Sequence, residues 1–359
     1  MNAYLVLESG EIYQGIWRGG RDRAGEVVFN TSHSGYEEIA TDPSYLGQII
    51  VMTTPMMGNY GVNAKSWESR QYWIEGFISL QIQESARDQS WLQTLRDRGI
   101  PIVSDLDTRN LVLRLRSGGT PWGALVQGSS EAEAKKKAVP LIEEKKKTDK
   151  DWVWIASRKE KEVRKGKVPG GPRIAVLDFG SKENILRELE ERCSEVHVLP
   201  SRASVAEVLA VKPDGLMLTN GPGDPAEVQV APGTVRELLG RIPTFGICMG
   251  HQVLGLALGA QTYKLKFGHR GANHPIRDDL LNKIYMTSQN HGYAVDTKTL
   301  PEDVRVTQVN LNDQTCAGLY SEKRNCLGIQ YHPESRPGPH EATELFDFFV
   351  SKMIGDKSK

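Results

Sequence analysis

The chain has 359 residues, of which 39% are hydrophobic and 25% charged, and this length and composition are typical of a globular protein with two domains. Its 45 basic and 45 acidic residues give a net charge of zero, so charge alone provides no basis for binding nucleic acid or an anionic membrane. The composition shows no collagen-like, disordered or membrane-protein bias.

The start of the chain lacks targeting features. It has no basic stretch and only a short apolar run, interrupted by Glu8, so no signal peptide is predicted. No segment approaches the roughly 20 apolar residues of a membrane helix. The cysteines show no CxxC or metal-ligand spacing, which predicts a reducing, cytoplasmic location and free thiols. His269, His274 and His340 belong to no His-Glu-x-x-His or comparable cluster, so no metal site is predicted.

Residues 1 to about 130 are predicted to form one α+β domain. Apolar and β-branched runs bounded by turn residues predict strands at 3–7, 26–30, 48–53 and 76–82. Apolar residues at helical spacing predict helices at 90–97 and 107–116. Residues 131–172 are dense in charge and end in a Pro- and Gly-rich stretch, which indicates a connector, part helical, whose Lys runs form a solvated face.

From residue 173 to the end, strands alternate with helices. Strands are predicted at 174–177, 195–199, 215–219 and 243–247, and helices at 182–192, 205–211, 235–241 and 251–258. This alternation is typical of a parallel sheet with crossover helices. Residues 173–359 are therefore predicted to form a doubly wound, mostly parallel α/β domain.

Cys248 lies where the last of these strands ends and a helix begins, in the segment Gly-Ile-Cys-Met-Gly at 246–250. A glycine on each side, two residues away, allows the sharp strand-to-helix turn known as a nucleophile elbow. The N-terminus of a helix also favours thiolate over thiol. We therefore predict that Cys248 is an outward-facing nucleophile, whereas Cys193, Cys316 and Cys326 are interpreted as core residues.

A thiol nucleophile needs a base, and the base needs a group that orients it. His332 and Glu334 follow another apolar strand and are two residues apart, so their side chains start on the same side of an extended chain, which Pro333 favours. They are predicted to be this pair, although His-x-Glu alone is also typical of a surface hydrogen bond. His251 is expected to point away along its own helix, and His291 has no carboxylate nearby in sequence.

The loop at 220–225, Asn-Gly-Pro-Gly-Asp-Pro, follows the third predicted strand of this domain and is expected at the same sheet edge as Cys248. Taken alone, it indicates only a turn between a strand and a helix. Beside the elbow, the backbone N–H groups of Gly223 and Met249 become candidate donors to an oxyanion.

Three motifs carry a family resemblance: 246–252 (Gly-Ile-Cys-Met-Gly-His-Gln), the 220–225 loop, and His-Pro-Glu at 332–334. Together they resemble the class I, or triad, glutamine amidotransferases. Segments 25–32, 35–38 and 41–45 resemble the N-terminal domain of the carbamoyl-phosphate synthetase small-subunit family. The similarity to this family continues at 267–275, 289–293 and 337–340, so it covers nearly the whole chain.

The resemblance implies hydrolysis of L-glutamine to glutamate and ammonia through a γ-glutamyl thioester on Cys248, with His332 and Glu334 completing the catalytic triad. By their positions in the family motifs, the residues implied to contact glutamine are Ser44, Gly221, Gly223, Met249, Gln252, Asn290, Gly292 and Tyr293. The chain itself is expected to hold no cofactor.

The family also implies a partner, a large subunit that uses ATP, Mg and bicarbonate and receives the ammonia to make carbamoyl phosphate, for arginine or pyrimidine synthesis. The first domain is expected to be the docking surface in this hetero-oligomer. Two alternatives stay open: a glutamine-binding regulatory subunit that does not hydrolyse glutamine, and a thiol peptidase or esterase with a similar elbow. Loss of a triad residue would favour the regulatory subunit, and acceptance of peptide or ester substrates would favour the peptidase or esterase.

Overall fold

The computed structural model describes residues 1–85, 89–148 and 151–355. The chain divides into two units, residues 1–149 and 150–359. In chain order the first unit contains β1 (Asn2–Leu7), β2 (Ile12–Gly19), β3 (Arg23–Asn30), α1 (Tyr36–Thr41), β4 (Gln48–Met52), β5 (Met56–Met57), β6 (Gly76–Ile78), β7 (Gln81–Ile82), α2 (Trp91–Asp97), β8 (Ile102–Ser104), α3 (Thr108–Gly118), β9 (Trp122–Gln127) and α4 (Glu131–Lys147).

Strands of the first unit close into a barrel in the order β1-β2-β8-β6-β4-β3-β9. Side chains from its neighbouring strands, such as Val28, Ile50 and Phe77, are fully buried in one core cluster. Because the barrel is closed, none of its strands has an unpaired edge. An open sheet has two such edges and must protect them by other means. The strands predicted in this part of the sequence thus belong mainly to a closed barrel.

The strand predicted at 76–82 is divided in two. β6 belongs to the barrel, whereas β7 pairs with β5 in a separate two-stranded sheet. Between them, the Ser79 hydroxyl donates to the carbonyl oxygens of Pro55 and Gln81 at 3.2 and 3.0 Å. Such side-chain bonds to the backbone compete with a regular ladder, and they mark where the chain leaves the barrel.

Helix α4 packs on the barrel of the first unit. The Ser130 hydroxyl caps its first turn by accepting from the Glu133 N–H at 3.3 Å. Ala134, Ala138 and Ile142 recur at four-residue spacing and are buried against apolar residues of β1 and β9. The charged residues of this segment lie on the remaining faces, as an amphipathic helix requires.

The second unit contains α5 (Trp152–Ala156), β10 (Glu162–Lys165), β11 (Arg173–Asp178), α6 (Glu183–Glu190), β12 (Glu195–Pro200), α7 (Val205–Ala210), β13 (Gly215–Leu218), α8 (Ala231–Leu238), β14 (Thr244–Ile247), α9 (Met249–Leu258), β15 (Thr262–Asp278), β16 (Lys283–Val295), β17 (Arg305–Asn310), β18 (Cys316–Ser321), β19 (Cys326–Ile329) and α10 (Glu344–Asp347), which runs into a π-helical segment, Phe348–Ile354. Residues 131–172, expected to be a connector, thus carry α4, α5 and β10, while 149–150 lie outside the described residues.

The sheet of the second unit has ten strands in the order β10-β12-β11-β13-β14-β19-β18-β17-β15-β16. The five strands from β12 to β19 run parallel, and the remaining strands are antiparallel to their neighbours. Ile174 and Val176 of β11 belong to one core cluster, and Ala175 and Leu177 to another. Because neighbouring side chains point to opposite faces, the central sheet is covered on both.

Helix α8 begins at Ala231 rather than at the predicted position 235. Pro232 does not prevent this earlier start, because Pro is tolerated in the first helical turn, where its missing N–H would have no intrahelical partner. No helix in the described parts of the chain is long and apolar enough to cross a membrane.

Packing of α4 on the barrel can be tested with Ile142→Ala. We expect this variant to lower the free energy of unfolding by about 2–4 kcal/mol, because Ile142 is buried and its truncation leaves a cavity. Val139→Ala on the same helix, where Val139 is 50% exposed, is the control and should change stability by less than about 0.5 kcal/mol. Urea unfolding, with hydrogen exchange of the β9 amides as a local measure, distinguishes the two. Equal effects would contradict the packing described.

Candidate active site

Two neighbouring parallel strands bring the predicted nucleophile and base to one sheet edge. β14 pairs with β19, with Ile247 opposite Ile329, and the Cys248 N–H donates to the Ile329 carbonyl at 2.8 Å. The chain then continues from β19 to His332, whose N–H donates to the Ser288 carbonyl at 2.9 Å. Since β14 and β19 run in the same direction, Cys248 and His332 both follow the carboxyl ends of their strands, where sites form in such sheets.

Cys248 itself carries the backbone strain of the elbow, with φ 54° and ψ −104°. The flanking glycines contribute space: a Cβ at Gly246 would lie 2.5 Å from the Gly250 oxygen, and one at Gly250 would lie 2.2 Å from the Leu218 oxygen. A non-glycine residue at positive φ costs roughly 1–3 kcal/mol and persists only where surrounding structure enforces it. The elbow therefore depends on close packing of α9 on β13 and β14.

The Cys248 thiol is buried rather than outward-facing. Only 2% of the residue is exposed, and Sγ lies 3.5 Å from the carbonyl oxygen of Asn290 in β16. The expectation of an exposed sulfur was wrong because Asn290 lies over it, on the strand β16, which was not predicted. Burial also raises the pKa values of Cys193, Cys316 and Cys326 to about 12, so these thiols stay protonated at neutral pH.

His332 and Glu334 form a buried hydrogen-bonded pair. Nδ1 of His332 lies 2.7 Å from Oε1 of Glu334, and the side chains are 2% and 0% exposed. This excludes the surface hydrogen bond considered from sequence. The Cys248 sulfur interacts with this ring, and Nε2, the other ring nitrogen, makes no hydrogen bond to any nitrogen or oxygen atom that the structure describes. It is therefore available for proton exchange with Cys248 or a bound molecule.

A lysine that the sequence analysis missed completes the cluster. Nζ of Lys182, which is 2% exposed, lies 3.0 Å from Oε1 of Glu334 and also donates to the Ser335 carbonyl. The Asn184 side chain donates to the Glu334 carbonyl. Lys182 follows the carboxyl end of β11, and that position at the site edge was the signal that could have identified it.

The charges of this cluster shift the pKa values of both triad partners. Burial lowers the pKa of His332, but the Glu334 carboxylate and the Cys248 sulfur outweigh burial and raise it to about 10. Burial raises the pKa of Glu334, but the Lys182 ammonium and His332 outweigh burial and lower it to about 2. At neutral pH the cluster therefore holds an imidazolium and a carboxylate, and an imidazolium favours negative charge on any group close to it.

The loop at 220–225 is joined to the elbow, as expected from sequence. The Thr219 carbonyl accepts from the Gly250 N–H at 2.9 Å. Gly221 lies so close to Phe179, the residue after β11, that a Cβ on Gly221 would be 2.4 Å from the Phe179 oxygen. Gly223 adopts φ +89°. Met249 is the first residue of α9, where backbone N–H groups lack intrahelical partners.

Of the other residues implied to contact glutamine, those that belong to the second unit lie around the elbow. Nε2 of Gln252 donates to the Tyr293 carbonyl at 2.8 Å and to Oε1 of Gln330 at 3.0 Å. The Asn290 carbonyl contacts the Cys248 sulfur, and Gly292 lies in β16 between Asn290 and Tyr293. Ser44 belongs to the first unit, in the 3₁₀ turn Pro43–Tyr45, where its N–H donates to Asp42 at 2.9 Å.

His251 and His291, the alternatives to His332 as the base, have different surroundings from those of His332. His251 is fully buried, with its Nδ1 only 2.8 Å from where a Cβ on Gly328 would lie, and burial lowers its pKa to about 4. The ring of His291 bonds to Oε1 of Gln289 at 2.9 Å and to the Tyr293 carbonyl at 2.7 Å. Within residues 1–85, 89–148 and 151–355, no group of His, Cys, Asp and Glu could hold a metal ion.

Comparison with known protein families finds a matching family for each of the two units. The sequence profile described as Carbamoyl-phosphate synthase small chain, CPSase domain, matches residues 5–125, and the one described as Glutamine amidotransferase class-I matches residues 175–352. The chain belongs to the carbamoyl-phosphate synthase small chain family. The family and the fold class predicted from sequence, an α+β domain followed by a class I amidotransferase domain, are thereby confirmed.

Relatives in this family match along nearly their full length. The carbamoyl phosphate synthase small chain of Symbiobacterium thermophilum is 46% identical, covering 96% of this chain and 97% of that one. The small chain of Thermus thermophilus is 42% identical, covering 98% and 93%. The chloroplastic small chain of Oryza sativa is also 42% identical, covering 99% and 83%. Each of these relatives therefore contains counterparts of both units in a single chain.

The Lys182–Glu334 ion pair can be tested with Lys182→Met. Removing one partner of a buried ion pair typically lowers the free energy of unfolding by about 3–5 kcal/mol. Because the pKa of Glu334 is lowered from 4.5 to about 2, its stabilising contribution is present above pH 4.5 and lost as the pH falls towards 2. Without Lys182 the pKa of Glu334 in the folded state should be lowered less, so the loss on acidification should be smaller and should be complete at a higher pH. Urea unfolding between pH 3 and 7 measures both effects.

The matched control is Lys283→Met, since the Lys283–Glu344 pair has side chains that are 51% and 37% exposed. Such a pair should contribute less than about 1 kcal/mol. A Lys182 variant no less stable than the Lys283 variant would contradict the paired state of Glu334.

Glu334→Gln tests the source of the raised His332 pKa. The variant keeps the side-chain shape but removes the charge, so burial should lower the pKa of His332 and the imidazolium should be lost at neutral pH. We expect alkylation of Cys248 by iodoacetamide at pH 7 to slow about tenfold or more, since each pKa unit changes a protonation equilibrium tenfold. Glu344→Gln is the control. An unchanged alkylation rate would show that Glu334 does not set the charge state of His332.

Proposed function

We propose that this chain hydrolyses L-glutamine to glutamate and ammonia through a γ-glutamyl thioester on Cys248. The observation that carries the proposal is the buried series of Cys248, His332 and Glu334 at one sheet edge, with Nδ1 and Oε1 2.7 Å apart, in a domain of the class I glutamine amidotransferase family. A nucleophile, a base and a group that orients the base are the three parts that acyl transfer by a thiol requires.

The chemistry follows from the charge states of the cluster. The Cys248 thiolate attacks the side-chain carbonyl carbon of glutamine and forms a tetrahedral intermediate. The His332 imidazolium then donates its Nε2 proton to the departing nitrogen, which leaves as ammonia and yields the thioester. Neutral His332 next removes a proton from water, which attacks the thioester to release glutamate and restore the thiolate. Glu334 holds the imidazole through Nδ1 in both stages.

Backbone donors supply the stabilisation of the intermediate in this proposal. The N–H groups of Gly223 and Met249 are the donors to the oxyanion, because one belongs to the loop attached to the elbow and the other begins α9. Recognition of the amino acid is assigned to the residues implied by the family motifs. These are Ser44, Gly221, Gly223, Met249, Gln252, Asn290, Gly292 and Tyr293.

The destination of the ammonia follows from the family. Relatives along the whole chain are named carbamoyl phosphate synthase small chain, which supports a complex with a large chain. We assign the use of ATP, Mg and bicarbonate to that partner, and the transfer of ammonia to it for carbamoyl phosphate synthesis. The first unit is the proposed docking surface. All four cysteines are unpaired, which supports a reducing compartment such as the cytoplasm.

Cys248→Ala tests the nucleophile. In the complex with the large chain, glutamate release from glutamine should fall by at least about 10³-fold, because no other group in the site can form the thioester. Cys316→Ala is the control, since the Cys316 thiol is buried in the sheet and its pKa is raised to about 12. Undiminished glutaminase activity in the Cys248 variant would contradict the proposal.

A second measurement on the same variant tests the destination of the ammonia. Supplied ammonia should still support carbamoyl phosphate synthesis by the complex that contains the Cys248→Ala chain, because only the source of nitrogen has been lost. Failure with an intact complex would show that the site does more than release ammonia. Activity on peptides or esters in place of glutamine would favour a thiol peptidase or esterase.

A further inference from the structure

The turn between β11 and α6 brings Lys182 to the active site. β11 ends at Asp178 and α6 begins at Glu183, so Lys182 is the last residue before the helix. The Asp178 carboxylate binds the turn itself, because its Oδ1 accepts from the N–H groups of Gly180 and Ser181 at 3.0 and 2.7 Å. A side chain that binds the backbone two and three residues ahead closes such a turn. The path of the chain into Lys182 therefore depends on Asp178.

The second oxygen of this carboxylate is bound by Arg158, which follows α5. Asp178 is fully buried, and its Oδ2 accepts from the Arg158 N–H at 2.7 Å and from the guanidinium Nη1 at 3.2 Å. No other cation in the described parts of the chain pairs with Asp178. A buried charge is tolerated only when an opposite charge and hydrogen bonds compensate it. Arg158 thus compensates the charge that closes the turn.

The Arg158 guanidinium also binds the two residues that flank Lys182. Nη1 donates to the Ser181 hydroxyl at 2.7 Å, and Nη2 donates to Oε1 of Glu183 at 2.7 Å. Nε donates to Glu162 at 2.8 Å. The side chain is only 19% exposed, and its planar group fixes the relative positions of the atoms that it binds. One side chain therefore contacts both the turn before Lys182 and the start of the helix after it.

Lys182 binds three parts of the site from this position. Its N–H donates to Oδ1 of Asn220 at 2.9 Å, and its Nζ lies 3.0 Å from Oε1 of Glu334 and donates to the Ser335 carbonyl. Burial raises the pKa of Glu334, and the Lys182 ammonium contributes most to outweighing burial and lowering this pKa to about 2. The lysine side chain is flexible, so the place of its ammonium depends on how firmly its backbone is held.

We propose that Arg158 is a positioning residue that holds the 178–181 turn and thereby keeps the Lys182 ammonium beside the Glu334 carboxylate. None of the hydrogen bonds of Arg158 in the described structure reaches Glu334 or His332, so its influence on them passes through Lys182. The consequence for catalysis rests on the proposed function, whereas the consequence for the charges of the cluster does not.

A double-mutant cycle separates this role from a general loss of stability. If Arg158 acts through Lys182, replacing Arg158 has little effect once the Lys182 ammonium has been removed, whereas independent residues have additive effects. The cycle consists of the wild type, Arg158→Met, Lys182→Met and the double variant, each in complex with the large chain. Two quantities are measured for each: the rate of Cys248 alkylation by iodoacetamide at pH 7, from mass spectrometry of the Cys248 peptide, and kcat for glutamine hydrolysis.

Loss of the ammonium favours protonation of the buried Glu334, and a neutral Glu334 no longer keeps His332 charged. We therefore expect Lys182→Met to slow alkylation about tenfold or more, and Arg158→Met to slow it at least about threefold. In the Lys182→Met background, Arg158→Met should change the rate by less than about 1.5-fold. The values of kcat should follow the same pattern.

Arg164→Met is the matched control. Arg164 is 20% exposed and binds Glu162 and Glu183, as Arg158 does, but it makes no hydrogen bond to the 178–181 turn in the described structure. Its alkylation rate and kcat should stay within about 1.5-fold of those of the wild type, because the turn keeps its contacts.

If Arg158→Met does not fold, Arg158→Lys is placed in the same cycle and judged by the same criteria. It keeps a positive charge beside Asp178 but lacks the planar group that binds several partners at once.

Three results would overturn the inference: an unchanged alkylation rate in the Arg158 variant, an equal slowing with and without Lys182, or an equal slowing in Arg164→Met. A wild-type complex that hydrolyses no glutamine would contradict the proposed function instead, and the alkylation cycle would still test the position of Lys182.

Discussion

The buried carboxylate of Glu334 is the constraint on which the site depends. A fully buried charge is tolerated only when other groups compensate it, and here the compensation comes from Lys182 at 3.0 Å and His332 at 2.7 Å. The three residues come from two separate segments that follow β11 and β19. The arrangement of strands in the sheet is therefore what makes this charge tolerable, and the charge in turn determines the protonation of His332.

The nucleophile obeys a steric constraint that complements this electrostatic one. Cys248 has an unfavourable backbone conformation, and it is held there because α9 approaches β13 and β14 more closely than any side chain at Gly246 or Gly250 would allow. The same approach brings the Gly250 N–H to the Thr219 carbonyl and so attaches the 220–225 loop to the elbow. One packing contact thus positions the sulfur, the start of α9 and the loop together.

Local patterns in the sequence were sufficient for the parallel strands, the elbow and the His332–Glu334 pair. Each of these is a short segment whose structure follows from its own residues: apolar runs make buried strands, and residues two apart on an extended chain share a side. The strand predicted at 76–82 was divided because Ser79 bonds to Pro55, a contact that no local pattern contains.

The features missed from sequence all depend on residues far apart in the chain. Lys182 acquires its role only when β11 and β19 place it beside Glu334, and Cys248 is buried only when β16 brings Asn290 over it. Closure of the first unit likewise joins β1 to β9 across more than a hundred residues.

Trapping the covalent intermediate tests the account most directly. The complex is mixed with glutamine, quenched in acid within the first turnovers, digested and analysed by mass spectrometry. The account predicts a γ-glutamyl group on the peptide that contains Cys248, and none on those that contain Cys193, Cys316 or Cys326. Glutamate release with no acyl group on Cys248, or an acyl group on a different cysteine, would contradict it.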